Sequence, residues 1–200
     1  MSNFKPHPIE KLSRENIVAI FEKMGQLCKE KGQYFEIAVY GGSALMLSFD
    51  YRESTVDVDF IPLRGAASDI SDMADVACKS LNFENYILRD DVQMFVSDVA
   101  KHKIFGEFPK GDGNLRVFTA QPKYIFAMKT MAMRNSLESH DMLDIWELID
   151  KCGIKNIEHA RLITQEYYPN QKLPKRNDLL MQDIFEAKRN GKKYSASLGW

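Results

Sequence analysis

Apolar residues at the start of the chain fall into a helical rhythm. In "SRENIVAIFEKMGQLCKEKG", Ile17, Ile20, Phe21, Met24 and Leu27 recur on one face behind Ser13, and the pattern stops at Gly32. That spacing predicts a helix capped by Ser13 and closed by Gly32. The period then shortens. "YFEIAVYGG" reads as a strand ending on paired glycines, "SALMLSF" as a helix opening directly off them, and "STVDVDFIPL" as a second strand that Pro62 is expected to end. "SDISDMADVACKSLNF" has helical spacing, with acids at its start that suit the helix dipole. "RDDVQMFVSDVAKHKIF" also carries the spacing of a helix, and "GDGN" is a turn leading into a strand over 115–119. From there on the period is helical: "QPKYIFAMKTMAMRN", "ESHDMLDIWELIDKCG" closing at Gly153, "NIEHARLITQEYY" and "RNDLLMQDIFEAKRNG".

Strand patterns therefore gather in the first two-thirds of the chain and helices in the rest. The expected class is α/β (α+β), a mixed sheet flanked by helices. An α/β head is expected over 1–120, with a helical part packed on it over 121–200. No internal repeat breaks this reading.

Composition narrows the class only a little. A net charge of −1 argues against a highly basic nucleic-acid coat protein, while 44% hydrophobic residues permit a real core. The three cysteines, Cys28, Cys78 and Cys152, lie far apart with no CxxC pair, as expected of a reduced cytoplasmic protein rather than a disulfide scaffold or zinc site. Four histidines show no metal-ligand spacing and are read as surface or capping residues. No run approaches the ~20 apolar residues of a membrane span, so no membrane partner is expected.

One stretch does not fit an ordinary core. "YGGSALMLSFDYRESTVDVDFIP" places Gly41, Gly42 and Ser43 ahead of an apolar helix, then Asp57 and Asp59 in a strand-like run. Strand alternation puts both acids on one face and Val56, Val58 and Phe60 on the other. Two carboxylates so placed repel unless something neutralises them, and a hard divalent cation such as Mg²⁺ does so. A glycine turn that opens a helix offers backbone N–H groups to an anion, with the Ser43 hydroxyl as a further donor. Taken separately, the glycines are a tight turn and the acids a solvated edge. Together, in strand–helix–strand order, they describe a cradle for a triphosphate beside a metal site.

These residues resemble the motif of the nucleotidyltransferase (DNA polymerase β-like) superfamily: a hydrophobic residue, Gly-Gly/Ser, a gap, then Asp-hydrophobic-Asp-hydrophobic. Within it they are most similar to the bacterial branch that includes the AbiEii/MenA-type toxins. A second block, "LRVFTAQPKYIFAMKTMAMRNSLESHDMLDIWEL", resembles that branch too, and the likeness runs over about residues 37–148. The resemblance implies that Gly41, Gly42 and Ser43 contact the triphosphate and that Asp57 and Asp59 bind Mg²⁺ or Mn²⁺. It implies that Lys129 reaches the phosphates, that Asp144 with Asp141 completes the polar site, and that Arg52, Ser54 and Thr55 are secondary contacts. The function so implied is transfer of a nucleotidyl group from an NTP to a hydroxyl of tRNA or protein, possible partners being a cognate antitoxin or a phage-defence system. The alternatives are a catalytically degenerate NTP-binding or partner-binding module and a small-molecule, aminoglycoside-type transferase. Many members of the superfamily bring a third carboxylate from a later strand; Asp90 and Asp91 are the only candidates for that place. Read without the family, the Lys129 ammonium on its apolar helix is either drawn toward a polar pocket or snorkels to the surface, and Asp141 and Asp144, at i and i+3, are either a structural ion pair for Arg134 or part of the site.

Overall fold

The computed structural model describes residues 11–49, 52–83, 88–133 and 140–192. The chain divides into two compact units, residues 1–94 with 102–120, and residues 95–101 with 121–200. Residues 95–101, expected in the head, belong to the second unit.

The first unit holds a mixed five-stranded sheet, and the class is α/β (α+β). The strands are β1 (Phe35–Val39), β2 (Val58–Arg64), β3 (Leu88–Arg89), β4 (His102–Phe108) and β5 (Leu115–Ala120), in the order β3-β2-β1-β5-β4. β1 runs parallel to β5 and antiparallel to β2, β3 is parallel to β2, and β4 is antiparallel to β5. The central strand is the most apolar: Ile37, Ala38 and Val39 are fully buried, as a strand covered on both faces requires.

Three helices belong to this unit: α1 (Arg14–Glu30), α2 (Gly41–Ser48) and α3 (Ala67–Ser80). Ser13 caps α1 as expected, its hydroxyl accepting from the Asn16 N–H (3.2 Å) while Asn16 Oδ1 accepts from the Ser13 N–H (2.9 Å). Ile17, Ile20, Phe21 and Met24 are buried, and Cys28 takes the last place on that face in preference to Leu27. α1 packs on α3, β4 and β5, and α2 packs on β2 and β5.

Two expectations about the head are corrected. Pro62 does not end β2 but sits inside it opposite Ile37, where the ladder shifts register between Glu36 and Ile37. A residue with no N–H is tolerated where the regular ladder is already broken. The helix expected over "RDDVQMFVSDVAKHKIF" is absent: the segment runs from the last residue of β3 through a 3₁₀ turn (Asp91–Phe95) into β4. Its apolar residues are not one buried face, since Met94 is 80% exposed and Phe95, Val99 and Ile104 are exposed too.

The second unit contains α4 (Pro122–Ala132), α5 (Asp141–Lys151), α6 (Ile157–Tyr167) and α7 (Lys175–Arg189). α4 is the hub, packing on the other three, and Tyr124 stacks on Tyr167 with ring centroids 5.0 Å apart. The buried Asn177 of α7 donates its amide to the carbonyls of Thr130 (3.0 Å) and Met131 (2.9 Å). These lie at the end of α4, where carbonyls have no partner within the helix. Among the described residues no helix is long and apolar enough to cross a membrane.

Candidate functional site

The glycine turn and the acids come together in the first unit, and the sheet is the reason. β1 ends at Val39, and the next residue, Tyr40, still donates its N–H to the Asp59 carbonyl (2.8 Å) across the ladder. The chain then turns into α2. The turn is thereby laid alongside Asp59. Gly41 has φ +59, a conformation that favours glycine. A Cβ there would also fall onto Asp59 Oδ2 and lie 3.2 Å from its Cγ, so the carboxylate rests directly on the glycine backbone. At Gly42 a Cβ would lie 2.5 Å from the Arg52 guanidinium carbon. Any side chain at 41 or 42 would displace a charged group from the turn.

On β2 the alternation holds where it matters. Val58 and Phe60 are fully buried, while Asp57 and Asp59 are half-buried on the opposite side. Val56, expected on the core face, is exposed, because the strand begins only at Val58 and the residue before Asp57 lies in a bend. The segment ahead of Asp57 is shaped by Thr55. Its N–H and C=O bridge Leu12, and its hydroxyl donates to the Asp57 carbonyl (3.1 Å). Thr55 is buried and positions Asp57 rather than facing a ligand. The Ser54 carbonyl accepts from Arg52 Nε (3.3 Å), which helps hold the guanidinium over Gly42. Ser43 is also buried. Its hydroxyl donates to the Tyr40 carbonyl (2.9 Å), and its backbone N–H is one of the groups at a helix start without an intrahelical acceptor.

Sequence reasoning missed three residues around this turn. Tyr40 is fully buried, and its hydroxyl lies 2.5 Å from His102 Nε2, the two rings meeting edge to face. Burial holds the His102 pKa below its ordinary value. His102 is therefore neither a surface nor a capping residue, and its only signal in the sequence was position on a strand that was read as helix. The third is Arg89. β3 pairs Leu88 with Val58 and Arg89 with Asp59, and Arg89 Nη1 lies 3.7 Å from Asp57 Oδ2.

The candidates for a third carboxylate do not join this group. Asp90 follows β3 and Asp91 opens the 3₁₀ turn, and both are exposed. Among the described residues no set of three or more His, Cys, Asp or Glu side chains is placed to hold a metal ion. Asp57 and Asp59 nonetheless fit a hard cation that keeps water and phosphate oxygens in its remaining positions. The bare backbone of Gly41 is what lets the Asp59 carboxylate lie against the turn, beside Asp57.

Comparison with family models, with curated proteins and with solved structures finds no match to this chain.

Lys129, Asp141 and Asp144 come together in the second unit. Lys129 Nζ lies 2.9 Å from Asp141 Oδ1 and 2.8 Å from Asp144 Oδ2, with Lys129 13% exposed and Asp144 2%. Burial alone would lower the lysine pKa, but the two carboxylates outweigh it and hold it above the ordinary value. Lys129 does not snorkel. It is the cation of the acid pair, the part expected of Arg134, which lies outside the described residues. Both carboxylate partners of Lys129 lie on α5. The same unit carries a groove of about 410 Å³ along α6 and α7, but its charged pair, Arg161 with Asp178 (2.8 Å), is already closed. Tyr167 and Tyr168 are buried and offer no stacking face to RNA.

Proposed function

We propose that the first unit binds a Mg²⁺–NTP complex and that the protein is a cytoplasmic, metal-dependent nucleotidyltransferase. It would move a nucleotidyl group to a hydroxyl of tRNA or a protein, in the setting of a toxin–antitoxin or phage-defence pair. The observation that carries this reading is the contact of the Asp59 carboxylate with the Gly41 backbone, which brings the turn and the carboxylate pair to one place. The resemblance of "GGSALML…RESTVDVDF" to the nucleotidyltransferase motif supplies the reaction class.

In this reading each residue has a limited task. Asp57 and Asp59 hold Mg²⁺, or Mn²⁺ in its place. The N–H groups of Gly42 and Ser43, at the positive end of α2, receive phosphate oxygens. Arg52, lying over Gly42, adds a planar cation to the same oxygens. Thr55 and the Tyr40–Asp59 backbone bond keep the carboxylates in register with the turn. A metal held there would neutralise triphosphate charge and polarise the attacking hydroxyl, which together with positioning is most of what phosphoryl transfer asks of a protein.

A second reading has an observation of its own. Asp90 and Asp91, the candidates for a third carboxylate, are exposed on the chain after β3, which favours a binding module of the same fold. One experiment separates the two. The protein is incubated with each α-labelled NTP, Mg²⁺ and total RNA, with Asp57→Asn/Asp59→Asn alongside. Labelled RNA or labelled protein that vanishes in the double variant is the expected result. NTP binding by calorimetry without any transfer favours the module, and absence of Mg²⁺-dependent NTP binding rejects both. Purified aminoglycosides in the acceptor panel test the small-molecule alternative.

A further inference from the structure

We propose that Arg89 is an exchangeable counter-ion of the site: it neutralises Asp57 before the metal arrives and passes to the nucleotide phosphates when Asp57 turns to the metal. This rests on the metal–nucleotide reading above and deepens it.

The argument begins from strand register. β3 is short and parallel to β2, with Leu88 opposite Val58 and Arg89 opposite Asp59. Leu88 and Val58 are both fully buried, so by alternation Arg89 projects on the other side of the sheet, the side of Asp57 and Asp59. Its guanidinium is 3.7 Å from Asp57 Oδ2, with Arg89 49% and Asp57 26% exposed. The chain thus places a cation on the strand beside the acidic pair, on the same face. A cation there meets the need derived from the sequence: two carboxylates on one face require compensation whether or not a metal is bound.

The contact also has the properties of one made to be given up. It is long for an ion pair and half-exposed, and a pair of that kind adds little to stability, so breaking it costs the fold little. A divalent ion attracts Asp57 more strongly than a guanidinium at that distance does. Once displaced, Arg89 remains within reach of the same face, where its planar fork suits phosphate oxygens. Metal and triphosphate binding are then coupled: the metal frees the arginine, and the arginine rewards the triphosphate.

The test uses calorimetry on the full chain with Mn²⁺ alone, and then with a non-hydrolysable NTP analogue at saturating Mg²⁺. Wild type, Arg89→Gln, Arg89→Lys and Asp57→Asn are compared. Arg89→Gln is expected to bind Mn²⁺ alone about fivefold more tightly, the factor that corresponds to losing one surface competitor. The same variant is expected to bind the Mg²⁺–nucleotide about tenfold more weakly, the loss of one charge-assisted contact. Arg89→Lys keeps the charge and is expected to fall between the two in both measurements. A purely structural arginine would move neither value in opposite directions. If Arg89→Gln binds Mn²⁺ no better than wild type while Asp57→Asn has lost it, Arg89 is no counter-ion and the inference falls alone. If wild type binds no nucleotide with metal present, the underlying reading falls and takes this one with it.

Discussion

The protein carries two pairs of closely spaced aspartates, and they have opposite characters. Asp57 and Asp59 are two residues apart at the start of β2, half-buried, with Arg89 at 3.7 Å from the first and the Gly41 backbone against the second. Asp141 and Asp144 are three apart on α5, both buried, with one lysine closing on both at 2.8–2.9 Å. The helical pair is finished, because its cation is built into α4 and shielded from water. The strand pair differs, because the cation beside Asp57 stands off at 3.7 Å and is half in solvent. Equal numbers of carboxylates therefore tell little about function. The distance and exposure of the counter-charge do.

Breaking the closed pair is expected to have the largest effect. Lys129→Met leaves two buried carboxylates without their cation and should cost about 3–5 kcal/mol of unfolding free energy, read by urea denaturation. The raised lysine pKa adds a sign. Its stabilisation is complete below the ordinary value of 10.5 and is lost only as pH rises through the still higher folded value, so the gap between wild type and Lys129→Met should narrow in strong alkali. A flat gap to the highest pH would mean that the lysine acts by packing alone.

Next is Gly41→Ala, which forces a side chain into a positive-φ position already filled by Asp59. About 1–3 kcal/mol should be lost, and Mn²⁺ binding with it. A stable variant with intact metal binding would separate the turn from the acids. The open pair should respond differently. Asp57→Asn is expected to change stability by less than about 1 kcal/mol while abolishing Mn²⁺ binding, the reverse of the behaviour at α5. The smallest effect concerns His102. Its folded pKa lies below 6.5, so the unfolded chain binds more protons just under that pH, and stability should decline as pH falls from 6.5. His102→Gln should flatten that slope, which thermal melts across pH 5–7 would measure.

Much of the fold could be read in the sequence because the periods were clean. α1, β1, α2, α3, β5 and the four later helices follow runs whose apolar positions are mostly buried, with Val76, Leu162 and Leu179 exposed. The segment around residues 89–105 misled for a physical reason. Val92, Phe95, Val96 and Val99 recur at helical spacing, yet Phe95 and Val99 are exposed and the backbone is held elsewhere, the Ser97 N–H donating to the Tyr124 hydroxyl at 2.7 Å. β4 in turn hides its alternation behind the register shift between Ile104 and Gly106. The same error hid His102 and the strand that follows. At the site, Gly41, Gly42, Asp57 and Asp59 were legible as residue types at a spacing. What the sequence could not convey was which hydroxyls point inward, as those of Ser43 and Thr55 do, or that a two-residue strand would bring in Arg89.

The amide of Asn177 on the last carbonyls of α4 sets an order of events during synthesis. A chain leaving the ribosome has all of α4 available some 45 residues before Asn177 emerges, since 177 follows Thr130 and Met131 by 47 and 46 positions. Until then those carbonyls must be served by water, and the helix that anchors its unit has a frayed end. That unit is therefore completed late, by a residue from its final helix, and a nascent chain halted short of that helix would present an open hub to its surroundings.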